Sequence, residues 1–199
     1  VQTLTAENPD GAMPLLGNPE DVAYIIFTSG STGVPKGVVI TQDAVCNTIQ
    51  DINSRFGVTE EDCIIGISAF WFDLSVYDIF GAFSTGAHLV LCERVDIDTI
   101  AGLMHRYPVS FWNTVPAIME LLADSGESFA GSPLRNVLLS GDWIPLELPR
   151  KIQNCFPAAK VCSLGGATEA SIWSIYYPIN EVQPAWNSTV SYTHLRAHG

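Results

Sequence analysis

The chain has 199 residues, a formal net charge of −12, and 47% hydrophobic residues. That length suffices for one domain with a sizeable core, and an acidic balance with no basic block or basic–aromatic alternation excludes a nucleic-acid binder. No apolar run reaches membrane-spanning length and no charged-then-apolar leader is seen, while five scattered cysteines (Cys46, Cys63, Cys92, Cys155, Cys162) without a Cys-x-x-Cys pair exclude a disulfide framework or zinc site and fit a reducing cytoplasm.

Residues 1–20 hold Pro9, Gly11, Pro14, Gly17 and Pro19 and are expected to form a loop or linker. A β-branched run at 22–27 predicts the first strand, and 37–40 the second. Between them lies Thr28-Ser29-Gly30-Ser31-Thr32-Gly33-Val34-Pro35-Lys36-Gly37, with three glycines, four hydroxyls and one lysine in ten residues. Glycine lets backbone approach a ligand closely, hydroxyls and bare N–H groups donate to phosphate oxygens, and Lys36 adds a mobile charge. This is the chemistry of a loop that wraps a polyphosphate. It is not the Gly-x-x-x-x-Gly-Lys-Ser/Thr loop, because Lys36 follows Val34-Pro35 and a strand comes next. A flexible Ser/Gly linker is the bland alternative.

Farther along, helices are predicted at 43–54, 74–84, 97–106, 116–124 and 146–153, with Thr41 capping the first and Asp96 the third. Strands are predicted at 63–68, 87–91, 109–112, 136–139 and 160–163. Such alternation implies βα units, hence an α/β fold with a mostly parallel sheet flanked by helices. Ligands in such sheets bind outside the carboxyl ends of strands. The polar loop, Phe72-Asp73 and Gly165-Gly166-Ala167-Thr168-Glu169 each follow a strand, and all three are expected at one sheet edge. Asp73 could instead simply cap its helix, with Ser75 as the other candidate for that role, and Glu169 could be a surface acid. His88 and His105 read as structural. His194 and His198 stand four apart, a metal spacing, in a context that argues against a metal.

The run from Tyr24 to Val38 resembles the phosphate-binding motif of the adenylate-forming enzymes, the superfamily of acyl-CoA synthetases, luciferases and peptide-synthetase adenylation domains. The resemblance covers roughly residues 19–188 and implies the N-terminal core of that fold, in part. It implies that Thr28, Ser29, Gly30, Ser31, Thr32, Gly33, Lys36 and Gly37 hold the phosphates of ATP, together with Gly165, Gly166, Ala167 and Thr168. Lys36, Thr168 and Glu169 would act in catalysis, Thr168 at the α-phosphate and Glu169 on Mg²⁺. Two departures are plain: Gly165-Gly166-Ala167 stands where relatives commonly carry Tyr-Gly-Pro, whose aromatic ring stacks on adenine, and Gln42 stands where many have histidine.

An aspartate at the place of Asp73 marks amino-acid-activating members, because a desolvated ammonium needs a partner. Carried over by position, the substrate pocket is Asp73, Leu74, Tyr77, Asn113, Leu138, Ser140, Leu164, Ile172 and Trp173. That ordered set resembles cysteine-activating domains of siderophore synthetases; composition alone does not separate cysteine from serine or alanine. Implied partners are the phosphopantetheine of a carrier protein and condensation or cyclisation domains of the same assembly line. An acyl- or aryl-CoA ligase and a catalytically inactive binding module are the alternatives. The family's ribose-binding aspartate, hinge and small C-terminal subdomain lie beyond this sequence, so the chain alone is expected to be inactive. Residues 189–199 depart abruptly from the family and read as a non-native tail.

Overall fold

The computed structural model describes residues 17–28 and 34–182. In chain order these form β1 (Val22–Thr28), β2 (Lys36–Thr41), α1 (Gln42–Phe56), β3 (Cys63–Gly66), α2 (Leu74–Thr85), β4 (His88–Leu91), α3 (Ile97–Arg106), β5 (Phe111–Thr114), α4 (Pro116–Ala123), β6 (Asn136–Leu139), α5 (Leu148–Cys155), β7 (Lys160–Gly165), a 3₁₀ turn (Thr168–Ala170) and β8 (Ile175–Pro178).

Six strands make the main sheet in the order β4-β3-β5-β6-β7-β8. All its pairs are parallel except the last, where β8 runs antiparallel to β7. β3, β5 and β6 are buried along their whole length, as expected of parallel strands covered on both faces. Alternate side chains feed two cores. Ile64, Phe111, Leu138 and Cys162 pack with α1 and α2 on one face. Cys63, Ile65, Trp112, Val137 and Val161 pack with α3, α4 and α5 on the other. Right-handed crossovers account for this split. β3–α2–β4 steps to one side, β4–α3–β5 returns past β3, and the helices therefore change face. The reversal leaves a switch point between β3 and β5, where a crevice opens at the strands' carboxyl ends.

Local chemistry sets the helix ends. Thr41 Oγ1 accepts from Ala44 N at 3.4 Å and Asp96 Oδ1 from Thr99 N at 2.8 Å, so both expected caps form. Gly57 and Gly86 end α1 and α2 in the left-handed conformation that glycine tolerates. At the amino-terminal edge of the sheet, Asp62 ties three segments together. It receives Arg135 Nη2 at 2.7 Å and Nε at 3.1 Å, Ser110 Oγ at 2.6 Å and Thr59 N at 2.9 Å. Arg135 also donates to Phe56 O and Gly57 O, which closes the end of α1.

One expectation needs correction. β1 and β2 do not join the parallel sheet; they form a separate antiparallel pair, with Thr28 opposite Lys36. Thr28 and Lys36, which bracket the polar loop, therefore belong to a hairpin separate from the main sheet. All five cysteines are free, and no helix among the described residues is long and apolar enough to cross a membrane.

Candidate active site

A cavity of about 500 Å³ opens at the carboxyl ends of β3, β5, β6 and β7. Of the expected residues, Asp73, Leu74, Ser140, Gly166, Thr168, Ile172 and Trp173 line it. An adjoining groove of about 480 Å³ runs under the hairpin and is lined by Thr28, Phe72, Asp73 and Thr168. Asp73 and Thr168 thus stand where cavity and groove meet. Lys36 faces Thr28 across the hairpin, so the lysine and the acid lie on the same side of the molecule. Residues Ser29, Gly30, Ser31, Thr32 and Gly33, and the tail at 189–199 with His194 and His198, fall outside the described residues.

Asp73 occupies the N-cap position of α2, yet its side chain makes no capping bond, and Ser75 Oγ donates to Phe72 O at 2.7 Å instead. Its carboxylate is therefore not spent on a cap; it takes hydrogen bonds from Thr168 and from the backbone at Asp73 and Leu74. Burial pushes the carboxyl above its usual range, and the nearby Thr168 side chain pulls partly the other way. A carboxylate desolvated without a cation next to it favours a cationic ligand.

Four expected pocket residues do not reach the cavity surface. Tyr77, Leu138 and Leu164 belong to the core beneath it. Tyr77 donates its hydroxyl to Asn53 Oδ1 at 2.8 Å and supports Trp173 with rings 5.1 Å apart. Asn113 spends its amide N–H groups on Asp78 Oδ1 at 2.9 Å and Leu74 O at 3.3 Å. These four shape the cavity through the residues they support.

Asp78 escaped the sequence reading. It is 1% exposed on the inner face of α2. Burial raises its pKa to about 7, restrained by hydrogen bonds from Asn113 and Ser68. The helical periodicity Leu74, Tyr77, Asp78, Gly81, Ala82 carried the signal, since it puts a carboxylate on the apolar face. Between an unfolded value near ~3.9 and about 7, the folded chain holds a proton that the unfolded chain has lost. Stability is therefore full below that window and falls as pH rises through it. Asp78→Asn keeps an acceptor for Asn113 and removes the titration. Urea midpoints of variant and parent should coincide near pH 4 and separate by pH 8 in the variant's favour; parallel profiles would contradict the assignment.

The Thr168 turn is held by backbone packing. A methyl on Gly166 would lie 2.8 Å from Ile172 O and Trp173 Cα and 2.9 Å from Ser174 N, so glycine is required here for the chain's own fold. Ser171 and Ile172 follow at φ 60° and 71°, a strained pair that places Ile172 and Trp173 on the cavity wall. Thr48 Oγ1 on α1 donates to Ser171 O at 2.9 Å and secures it. Gly165 is buried within β7, where it pairs with Ile175 and offers no side chain to a ring. Glu169 is exposed on the 3₁₀ turn. No cluster of three or more potential metal ligands occurs among the described residues. One carboxylate beside bound phosphates is nevertheless a usual set for Mg²⁺, so the turn fits that ion when a nucleotide brings the remaining oxygens. His105 stacks on Phe129 and faces Glu127, a structural role.

The parallel sheet thus carries a switch-point cavity with an acid at its rim and a threonine–glutamate turn after β7. Comparison with known proteins supplies the family: the chain belongs to the AMP-binding enzyme family, which it matches over residues 3–195. It is 54% identical to bacitracin synthase 1 of Bacillus licheniformis over 85% of its length, and 48% identical to pyochelin synthetase PchF of Pseudomonas aeruginosa over 80%. It spans only 3% and 9% of those proteins, respectively. Among solved structures, the AMPPNP-bound form of the nonribosomal peptide synthetase FmoA3 superposes with TM-score 0.79 at 40% identity, over 85% of this chain and 18% of that one. The Vibrio cholerae adenylation domain AlmE, in complex with glycyl-adenosine-5'-phosphate, gives 0.77 at 28% identity, over 87% of this chain and 33% of that one.

Proposed function

We infer that this chain is part of a peptide-synthetase adenylation domain that activates an amino acid, with L-cysteine the leading substrate. The substrate carboxylate attacks the α-phosphorus of ATP, pyrophosphate leaves, and an aminoacyl-adenylate remains for loading onto the phosphopantetheine of a carrier protein. Condensation or cyclisation domains of the same assembly line are its further partners. The observation that carries this reading is the position of Asp73, a half-buried carboxylate with no cation beside it at the junction of cavity and groove.

Each residue's work follows from charge and position. Asp73 takes the substrate ammonium. Thr28, Ser29, Gly30, Ser31, Thr32, Gly33, Lys36 and Gly37 hold the polyphosphate, and Thr168 orients the α-phosphate, which a positioned donor does most effectively where charge develops. Glu169 would hold Mg²⁺, which neutralises phosphate charge when bound. Gly165 leaves the adenine without the family's aromatic platform, and this favours one second reading, a module that binds nucleotide without turnover.

The parent synthetase polypeptide, assayed for ATP–pyrophosphate exchange with each amino acid in turn, separates the readings. Cysteine should give the strongest exchange. Exchange supported by aryl or fatty acids but by no amino acid would discard the proposal, and nucleotide binding without any exchange would select the inactive module.

A further inference from the structure

Asp78 and Asn113 leave two oxygens unexplained. The carboxyl sits on the inner face of α2 and the amide on β5, and the two residues are 1% and 0% exposed. One bond joins them, Asn113 Nδ2 donating to Asp78 Oδ1 at 2.9 Å. The same nitrogen donates to Leu74 O at 3.3 Å. Two acceptors on that nitrogen fix which way the amide faces. The second oxygen of each group, Asp78 Oδ2 and Asn113 Oδ1, has no hydrogen-bond partner among the described residues. Ser68 stands close enough to act on the carboxyl group but makes no bond of ordinary length to Oδ2.

An ionised carboxylate only accepts hydrogen bonds, and so does an amide oxygen. With Asp78 charged, both oxygens would be buried acceptors without a donor, an arrangement that folded chains avoid. A neutral carboxylic acid carries one O–H donor, so a single proton on Oδ2 serves both atoms. The surroundings offer no charge that favours ionisation. Against α2 pack α1, β3, β4 and β5. On α1, Asp43, Cys46, Asp51 and Arg55 are exposed, as is His88 on β4. Cys63 on β3 packs in the core on the other face of the sheet, and Asp62 before it is paired with Arg135. β5 has no titratable residue. On α2 itself, Tyr77 gives its hydroxyl to Asn53, and Asp73 lies five residues back. Burial is the leading influence on the Asp78 carboxyl, opposed by Asn113 and Ser68.

We propose that Asp78 is a positioning residue held as a neutral acid: Oδ2 donates its proton to Asn113 Oδ1, and with the opposite N–H bond this closes a two-bond acid–amide ring between α2 and β5. Through Leu74 O the ring clamps the first turn of the helix that presents Asp73. Loss of the proton sets an anionic Oδ2 against the lone pairs of Asn113 Oδ1 and drives the two groups apart. The substrate end of α2 is held while the ring is protonated and released when the proton leaves. The positioning role rests on the amino-acid-activating reading above; the ring does not.

Infrared spectra of the full chain test the ring. At pH 5.5 the difference between wild type and Asp78→Asn should contain the carbonyl band of one neutral carboxylic acid, lost by pH 8.5; Asp73, common to both proteins, cancels. Asn113→Leu, which removes both bonds of the ring, should move that band to higher frequency. No band at pH 5.5, or a band that Asn113→Leu leaves in place, overturns the ring. The role is read from pyrophosphate exchange by the parent synthetase. A site competent only with the ring closed loses apparent affinity in inverse proportion to the closed fraction. With the acid titrating at about 7, the amino-acid KM should rise by about 10-fold between pH 6 and pH 8 beyond any rise in Asp78→Asn, whose amide N–H stands permanently where the proton was, with no such difference in the KM for ATP. Exchanging the residues, Asp78→Asn with Asn113→Asp, rebuilds the ring with its acid on β5 and should bring the extra rise back, which a purely structural pair would not do. Parallel KM profiles for wild type and Asp78→Asn overturn the positioning role. Absence of exchange with every amino acid overturns that role together with the amino-acid-activating reading, while the infrared band still decides the ring.

Discussion

Replacing Asp73 by alanine in the parent synthetase will cut kcat/KM for the amino acid by about 10²–10³-fold and leave the KM for ATP nearly unaltered. Removing one member of a desolvated charge pair costs ~2–5 kcal/mol, because the partner stays buried and unpaired. On the proposed reading the partner is the substrate's ammonium, and among the described residues the cavity lining offers one other carboxylate, Asp142, which sits on the exposed turn after β6 and accepts from Trp143 N. The variant also decides between ligand and cap. A capping aspartate replaced by alanine costs ~1 kcal/mol of stability, whereas the Asp73 carboxylate makes no capping bond. Its loss should leave the urea midpoint where it was, or higher, since burial already disfavours the charged form. Undiminished amino-acid-dependent exchange by the variant would remove the ammonium anchor from the mechanism.

Asp62→Ala should have the opposite profile: a loss of about 3 kcal/mol in stability with substrate constants unchanged. Asp62 is 4% exposed and joins Arg135, Ser110 and Thr59 at the sheet edge away from the cavity. Burial alone would raise its pKa, but bonds from Arg135, Ser110 and Thr59 outweigh that and bring it below the usual range. Its contribution is therefore complete above the unfolded value near ~3.9 and disappears as pH falls through the lowered folded value. Denaturant titrations at pH 7 and pH 3 check both points. An Asp62→Ala protein as stable as the parent at pH 7 would show that Arg135, still bound to Phe56 O and Gly57 O, holds this edge by itself.

Much of the fold was legible because burial and periodicity coincide along most of the chain. The helix at 97–106 and the strand at 136–139 match their predicted bounds. Where the two signals separate, bounds slip. The apolar run predicted at 109–112 pairs as Phe111–Thr114, two residues later, with Ser110 Oγ in the Asp62 cluster just before it. β8 was missed altogether: Ile175–Pro178 alternates half-buried with exposed residues, ends in proline and runs against its neighbours, so nothing marks it as part of a parallel sheet. The hairpin was misplaced because a strand's own composition does not say which sheet it joins.

The site divides in the same way. Asp73 and Thr168 were readable from motifs and do converge. The Asn113–Asp78 bond links positions 35 apart and the Thr48–Ser171 bond positions 123 apart, distances over which local pattern carries no information.

Tyr77, Leu138 and Leu164 belong to the α1–α2 core while standing directly under the cavity floor. Trimming those three to admit a larger ligand would excavate the foundation as well as the room above it. Each enlargement would weaken the protein in the measure that it widened the pocket. Changes confined to the rim escape that coupling, which makes them the natural first targets for redesign.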